Sequence, residues 1–327
     1  MPKNGSVNLR KFLSIALFLG VLVSCGSSGN STNSSESTTQ TESNSVPAEL
    51  PVVAVTYSVI GDIVSQIVGD NATVNVVIPD GQDPHDFQPS AKDIETINNA
   101  ALVVSNGLEF EEGLEEVLEN IANSGGNIFM VGDHITVRKI EDDDHGDDHH
   151  DDDNEGDHHH GGGDPHLWLS PVTMLEMLPA LTTALSEAVN ADLSAQATAL
   201  TTKLKDLDSK VASIINGLGE CNLVSGHDEM GYFADRYGCK VIGAIIPSFT
   251  TTSEATAGEL ADLKRLVEQY KVRAIFTGLG TSTDTVNQLA KELGIKAVTL
   301  STHYLDGAAN YQEFILILTN QIAEALS

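Results

Sequence analysis

Three segments of this 327-residue chain carry histidine in settings suited to metal coordination. The run Pro79-Asp80-Gly81-Gln82-Asp83-Pro84-His85-Asp86 follows a β-branched stretch ending at Ile78, and its prolines and glycine impose a turn. Asp164-Pro165-His166-Leu167-Trp168 repeats the Asp-Pro-His tripeptide of residues 83–85. A proline before each imidazole fixes the backbone and lowers the entropy lost when the ring binds a ligand. Ser225-Gly226-His227-Asp228-Glu229 follows another apolar run, Leu223-Val224. His85 and His227 therefore stand beyond the carboxyl ends of expected parallel strands, where open α/β sheets bind ligands. Neutral imidazole is a donor that suits zinc, whereas manganese draws more oxygen. Copper and nickel accept the same nitrogens, so ligand type alone does not fix the metal. Asp228 and Glu229 could orient the His227 imidazole as acceptors, but the preferred reading is acids of an early helical turn, favoured there by the helix dipole.

A second histidine group lies in residues 141–163, which contain only Glu, Asp, His, Gly and one Asn. His145, His149, His150, His158, His159 and His160 sit there among carboxylates. With no apolar residue the tract cannot bury a core, and it is expected to be disordered without metal. Such a tract suits weak capture of several divalent ions. The alternative is a solubilising acidic stretch, against which the density of imidazoles argues. Net charge is −30, which excludes nucleic acid as a partner because phosphates would find nothing to neutralise them.

The segments that position these residues alternate in type. Val52 to Val55, Val74 to Ile78, Leu102 to Val104 and Ile128 to Val131 read as buried strands, with helices at 58–69 and 90–100 among them. Leu223-Val224, Val241 to Ile246, Ala274 to Phe276 and Ala297 to Leu300 repeat the plan. The fold class is thus α/β: two parallel-sheet lobes of about four strands each, residues 50–190 and 219–327, with a metal cleft between them. A long helix over 191–218 joins the lobes. Leu193, Ala197, Leu200, Leu204, Leu207, Val211, Ile214 and Leu218 form its apolar stripe, and Asp192 is the expected N-cap. The stripe predicts a brace between lobes, with a coiled-coil dimer seam as the alternative.

Residues 1–24 read as a targeting segment: Lys3, Arg10 and Lys11 precede an apolar run from Phe12 to Val23, too short to span a bilayer. Leu22-Val23-Ser24-Cys25 resembles a bacterial lipoprotein signal, which implies cleavage before Cys25 and lipidation of its sulfur. An ordinary secretory peptide is the alternative. Residues 25–49, rich in Ser, Thr and Asn, would then tether the domain. Cys221 and Cys239 each precede an expected strand, so neighbouring parallel strands would bring them together as a disulfide; a zinc site built on them is the alternative, disfavoured because the mature chain would hold no third cysteine apart from the lipidated one.

From about residue 50 onward the chain resembles the cluster A-I metal-binding lipoproteins of bacterial ABC importers, in particular the ZnuA-like zinc-uptake proteins. The resemblance rests on Gly81 to Pro89, Asn106-Gly107 with Glu109, Asp164 to Trp168, and His227 to Tyr237-Gly238. It implies that His85, His166 and His227 are metal ligands. It also implies a fourth ligand near the last strand, where Thr302-His303-Tyr304-Leu305-Asp306 departs from the family's Thr-Asp-Ser-Leu. Ungapped placement puts His303 there; a short shift puts Asp306 there, and Asp306 is the preferred reading. Gly278 stands where relatives often have Glu, which excludes a carboxylate at that point. The function implied is a monomeric, lipid-anchored zinc receptor for an ABC permease and its ATPase, with receptors for manganese or other divalent metals and surface adhesins as alternatives. A zinc hydrolase is disfavoured, because neither a His-Glu-x-x-His helix nor a Gly-x-Ser-x-Gly turn occurs.

Overall fold

Short strands of three to seven residues build the sheets, and the alternation of side chains along each strand decides what lies on either face. A computed structural model describes residues 49–139 and 163–327. In chain order the first half contains β1 (Val52–Val55), α1 (Ser58–Val68), β2 (Thr73–Val76), α2 (Ala91–Asn98), β3 (Leu102–Ser105), α3 (Glu115–Asn123), β4 (Ile128–Met130) and α4 (Pro171–Val189). The long helix α5 (Ser194–Asn216) follows. The second half contains β5 (Asn222–His227), α6 (Gly231–Tyr237), β6 (Lys240–Ile246), α7 (Ala257–Gln269), β7 (Ala274–Thr277), α8 (Thr283–Leu293), β8 (Lys296–Thr299) and α9 (Tyr311–Leu326).

The strands form two four-stranded parallel sheets, ordered β2-β1-β3-β4 and β6-β5-β7-β8, so one plan is used twice. Val53, Val55, Leu102 and Val104 face a central helical layer, whereas Ala54 and Val103 face Ile97 of α2 and Leu118 of α3. In the second sheet Leu223, Ala274 and Phe276 face the same central layer, and Val224 and Ile275 face Leu263 of α7 and Leu289 of α8. That layer is built from α1, α4, α5 and α9. One apolar core therefore runs from sheet to sheet, and the described residues from Glu49 to Ser327 form a single compact unit.

Helix α5 buries Leu200, Leu204, Leu207, Val211 and Ile215 against α1, α4 and α9. Its stripe is satisfied within the chain, which removes the reason for a dimer seam. At 23 residues it extends roughly 35 Å at 1.5 Å per residue. The expected cap is displaced by one: Leu193 is the N-cap, while Asp192 accepts a hydrogen bond from the Ser194 N–H at 2.9 Å. The Cys221 and Cys239 sulfurs are bonded, with a Cα–Cα distance of 4.7 Å, and join the starts of β5 and β6.

Candidate metal centre

Four imidazoles from four separate segments converge. His85 lies in the loop between β2 and α2, where Asp83 accepts the His85 backbone N–H at 3.1 Å and Phe110 packs edge-on against the ring. His166 precedes a single helical turn at Leu167–Leu169 that leads to α4. His227 ends β5, and His303 follows β8. One nitrogen from each ring can be chosen so that all four lie within 4.8 Å of one another, and all four rings are buried. His166 Nε2 and His227 Nε2 are 3.1 Å apart. A tetrahedral zinc site with Zn–N near 2.0–2.1 Å has nitrogens about 3.3 Å apart, so this edge already matches such a site.

The surroundings leave these nitrogens without other work. Asp164 accepts both the backbone N–H of His166 (3.0 Å) and its Nδ1 hydrogen (2.9 Å), which leaves the Nε2 lone pair facing the centre. Both nitrogens of His85, Nδ1 of His227 and Nε2 of His303 have no hydrogen-bond partner among the described residues. Buried polar atoms without partners are costly, and a cation at the centre would take up one nitrogen of each ring. Burial lowers the pKa of His85 to about 3, with the neighbouring His166 adding to the effect. Burial likewise holds His227 and His303 well below the ordinary imidazole value, again with neighbouring histidines contributing. Neutral imidazole is the form that binds metal.

The aromatic wall explains how distant segments hold register. Trp168 is fully buried against Tyr57 and Phe110, with ring centroids 5.0 and 4.6 Å away. Its indole N–H donates to the Thr302 carbonyl at 2.6 Å, fixing the residue before His303. Asn106 donates from its side chain to the Pro165 carbonyl at 2.9 Å and accepts from the Tyr57 hydroxyl at 2.8 Å, which fixes the approach to His166.

Asp306 stands apart from this group. It is exposed, has φ of 49°, and begins a left-handed turn completed by Gly307 at φ 79°. With Thr302 pinned by Trp168, His303 faces inward and Asp306, three residues on, is exposed, so of the two candidates for the fourth position it is His303 that joins the group. The reading of Glu229 as an early-helix acid is corrected, because α6 begins only at Gly231. Glu229 is instead 1% exposed, and its Oε2 lies 3.9 Å from both His227 Nε2 and His303 Nδ1.

Sequence reasoning did not find the contacts that close the site from the other half. Thr251 donates to Asp83 at 2.7 Å, and Thr250 donates to Glu112, whose carboxylate is 3.7 Å from His85 Nδ1. Arg138 reaches both Asp164 (3.4 Å) and Asp235 of α6 (2.7 Å). The only available signal was the hydroxyl-rich run Ser248-Phe249-Thr250-Thr251-Thr252-Ser253 after β6. The expected lipidation site Cys25 and the tract histidines His145, His149, His150, His158, His159 and His160 lie outside the described residues.

Two parallel sheets around a shared helical layer, with four imidazoles converging from both halves, define an α/β metal-binding protein. The chain belongs to the family of the periplasmic zinc-uptake complex component A (ZnuA), whose family model matches residues 53–325. It is 29% identical over 308 residues to the high-affinity zinc uptake system protein ZnuA of Bacillus subtilis (strain 168), covering 92% of this chain and 90% of that one. It is 29% identical over 272 residues to the zinc-binding protein AdcA of Streptococcus pyogenes serotype M6, covering 80% of this chain and 52% of that one. The chain thus spans about half the length of the AdcA relatives it matches. Among solved structures, the periplasmic zinc-binding protein TroA of Treponema pallidum superposes with a TM-score of 0.74 at 23% identity, covering 85% of this chain and 99% of that one.

Proposed function

We propose that this protein is the extracytoplasmic zinc receptor of an ABC importer, and that His85, His166, His227 and His303 hold the ion. The observation that carries this reading is the meeting of four buried, mostly unpartnered imidazoles. Four nitrogens fill a tetrahedral shell, which suits zinc and leaves no open position for the activated water of a hydrolase. Without an oxygen ligand the set is poor for manganese. Two ligands come from each half, His85 and His166 from the first and His227 and His303 from the second. Separating the halves would leave each with a two-ligand site, and a permease that pulls them apart would thereby release the ion. Relatives named as zinc-uptake and zinc-binding proteins support the choice of cargo.

The receptor acts as a monomer, anchored through lipid on Cys25 and tethered by residues 25–49. The histidines of residues 141–163 gather zinc near the cleft, since the two described ends of that tract are held together by the hydrogen bond from Asp164 N–H to the Arg138 carbonyl at 3.1 Å. The test is metal content after competition among zinc, manganese and copper, in the full chain and in a chain lacking residues 141–163. The truncated protein should keep one tight zinc site. Loss of all tight binding on removal of the tract would overturn the assignment.

A further inference from the structure

Four neutral imidazoles bring no charge to a dication, yet the site is buried, and an uncompensated buried charge is strongly unfavourable. The carboxylates that face the rings differ in what they can contribute. Glu112, near His85, is 36% exposed at its side chain and is engaged by Thr250. Asp164, at His166, shares its charge with the Arg138 guanidinium 3.4 Å away. Glu229 has no Lys or Arg ion pair among the described residues; its side chain meets Thr302 and feels the His166 ring, and Oε2 is buried without a hydrogen-bond partner. That unpartnered oxygen is 3.9 Å from a nitrogen of each of two proposed ligands, His227 and His303, which places it along one edge of the cage. An ionisable group left in this state destabilises the metal-free fold and is relieved when a cation enters beside it.

We propose that Glu229 supplies the negative counter-charge of the metal centre and so sets its affinity for a dication. This rests on the four-imidazole reading of the site. A residue that merely packs the cage would, on substitution, weaken the fold and the site together. A counter-charge does the opposite to the two, because its removal relieves the empty site and impairs the filled one. The side-chain amide of a glutamine can donate to the same imidazoles, so the neutral isostere is expected to fold.

The test uses the full chain and three variants, Glu229→Gln, Glu229→Asp and His227→Ala. Zinc affinity of the tight site is measured by competition with a chromophoric chelator, and thermal unfolding is followed on metal-free protein. Glu229→Gln should weaken zinc about 10- to 100-fold, in the range of groups lying behind metal ligands. The same variant should unfold at a higher temperature than the parent when metal-free. Glu229→Asp, which keeps the charge, should recover most of the lost affinity. Zinc binding by Glu229→Gln within threefold of the parent would overturn the proposal. So would a fall in both affinity and metal-free unfolding temperature, or equal losses in the Gln and Asp variants. His227→Ala, which removes a ligand outright, should weaken zinc about 100-fold or more; if it does, a negative result for Glu229→Gln counts against the counter-charge alone. If His227→Ala still binds zinc tightly, the four-imidazole reading fails and the proposal falls with it.

Discussion

Replacing His303 by alanine should separate the two candidate fourth ligands. Structural zinc sites bind with about 10–16 kcal/mol at neutral pH. An equal share among four nitrogens is about 2.5–4 kcal/mol each, or roughly 60- to 700-fold in affinity at 1.4 kcal/mol per decade. Water can enter the vacated position in the variant, so about 100-fold is the expected loss for His303→Ala. Asp306→Ala should bind within twofold of the parent, because Asp306 is exposed on a left-handed turn outside the cluster. The assay is chelator competition on protein lacking residues 141–163, so that tract histidines do not contribute to the signal. Metal-free unfolding is measured alongside, since His303 is buried and its loss leaves space beside Trp168 and Phe110. A tenfold or greater loss in Asp306→Ala, with His303→Ala unchanged, would refute the reasoning.

Acidification should destabilise the metal-free protein. His85 has its folded pKa lowered to about 3, with His227 and His303 also depressed, whereas the unfolded chain titrates near 6.5. The folded state then binds fewer protons, so the contribution of these groups is fully present above about pH 6.5 and is lost as pH falls toward their folded values. Unfolding temperatures recorded from pH 8 to 4 should fall on the acid side; a rise would contradict the burial argument. Reduction of the Cys221–Cys239 bond, or replacement of both residues by serine, should cost about 3 kcal/mol from the entropy of an 18-residue separation and leave zinc affinity unchanged. Calorimetry and chelator competition on the same samples check both parts.

Much of the architecture was legible because β-branched runs and one long apolar stripe mark elements that the core needs. β1 and β3 fall where their hydrophobic runs stand, and β6 extends its run by one residue at Lys240. Strand β2 ends at Val76 as a regular strand, yet the Val77 and Ile78 N–H groups still donate to the Val55 and Thr56 carbonyls at 2.9 and 2.8 Å, so the apolar run stays paired to its end at Ile78. In α5 the buried position is Ile215, with Ile214 only partly covered, so the stripe drifts by one residue near the carboxyl end. Within the site, the two Asp-Pro-His turns and the strand-end His227 were visible as local patterns. His303 was not separable from Asp306, since its orientation depends on Trp168, 134 residues from Thr302. For Glu229 the sequence offered both a helix acid and an acceptor beside His227, and did not separate them, because charge next to a helix looks alike whether it faces solvent or a cage. The threonine contacts to Asp83 and Glu112 arise only when the halves meet, and no spacing within either segment encodes them.

X-ray absorption at the zinc edge, on tract-deleted protein loaded with one equivalent, tests the central claim most directly. Four nitrogen neighbours near 2.0 Å, with outer-shell scattering from four imidazoles, are the expected result. A shell containing sulfur, or fewer than three imidazoles with oxygens making up the remainder, would contradict it.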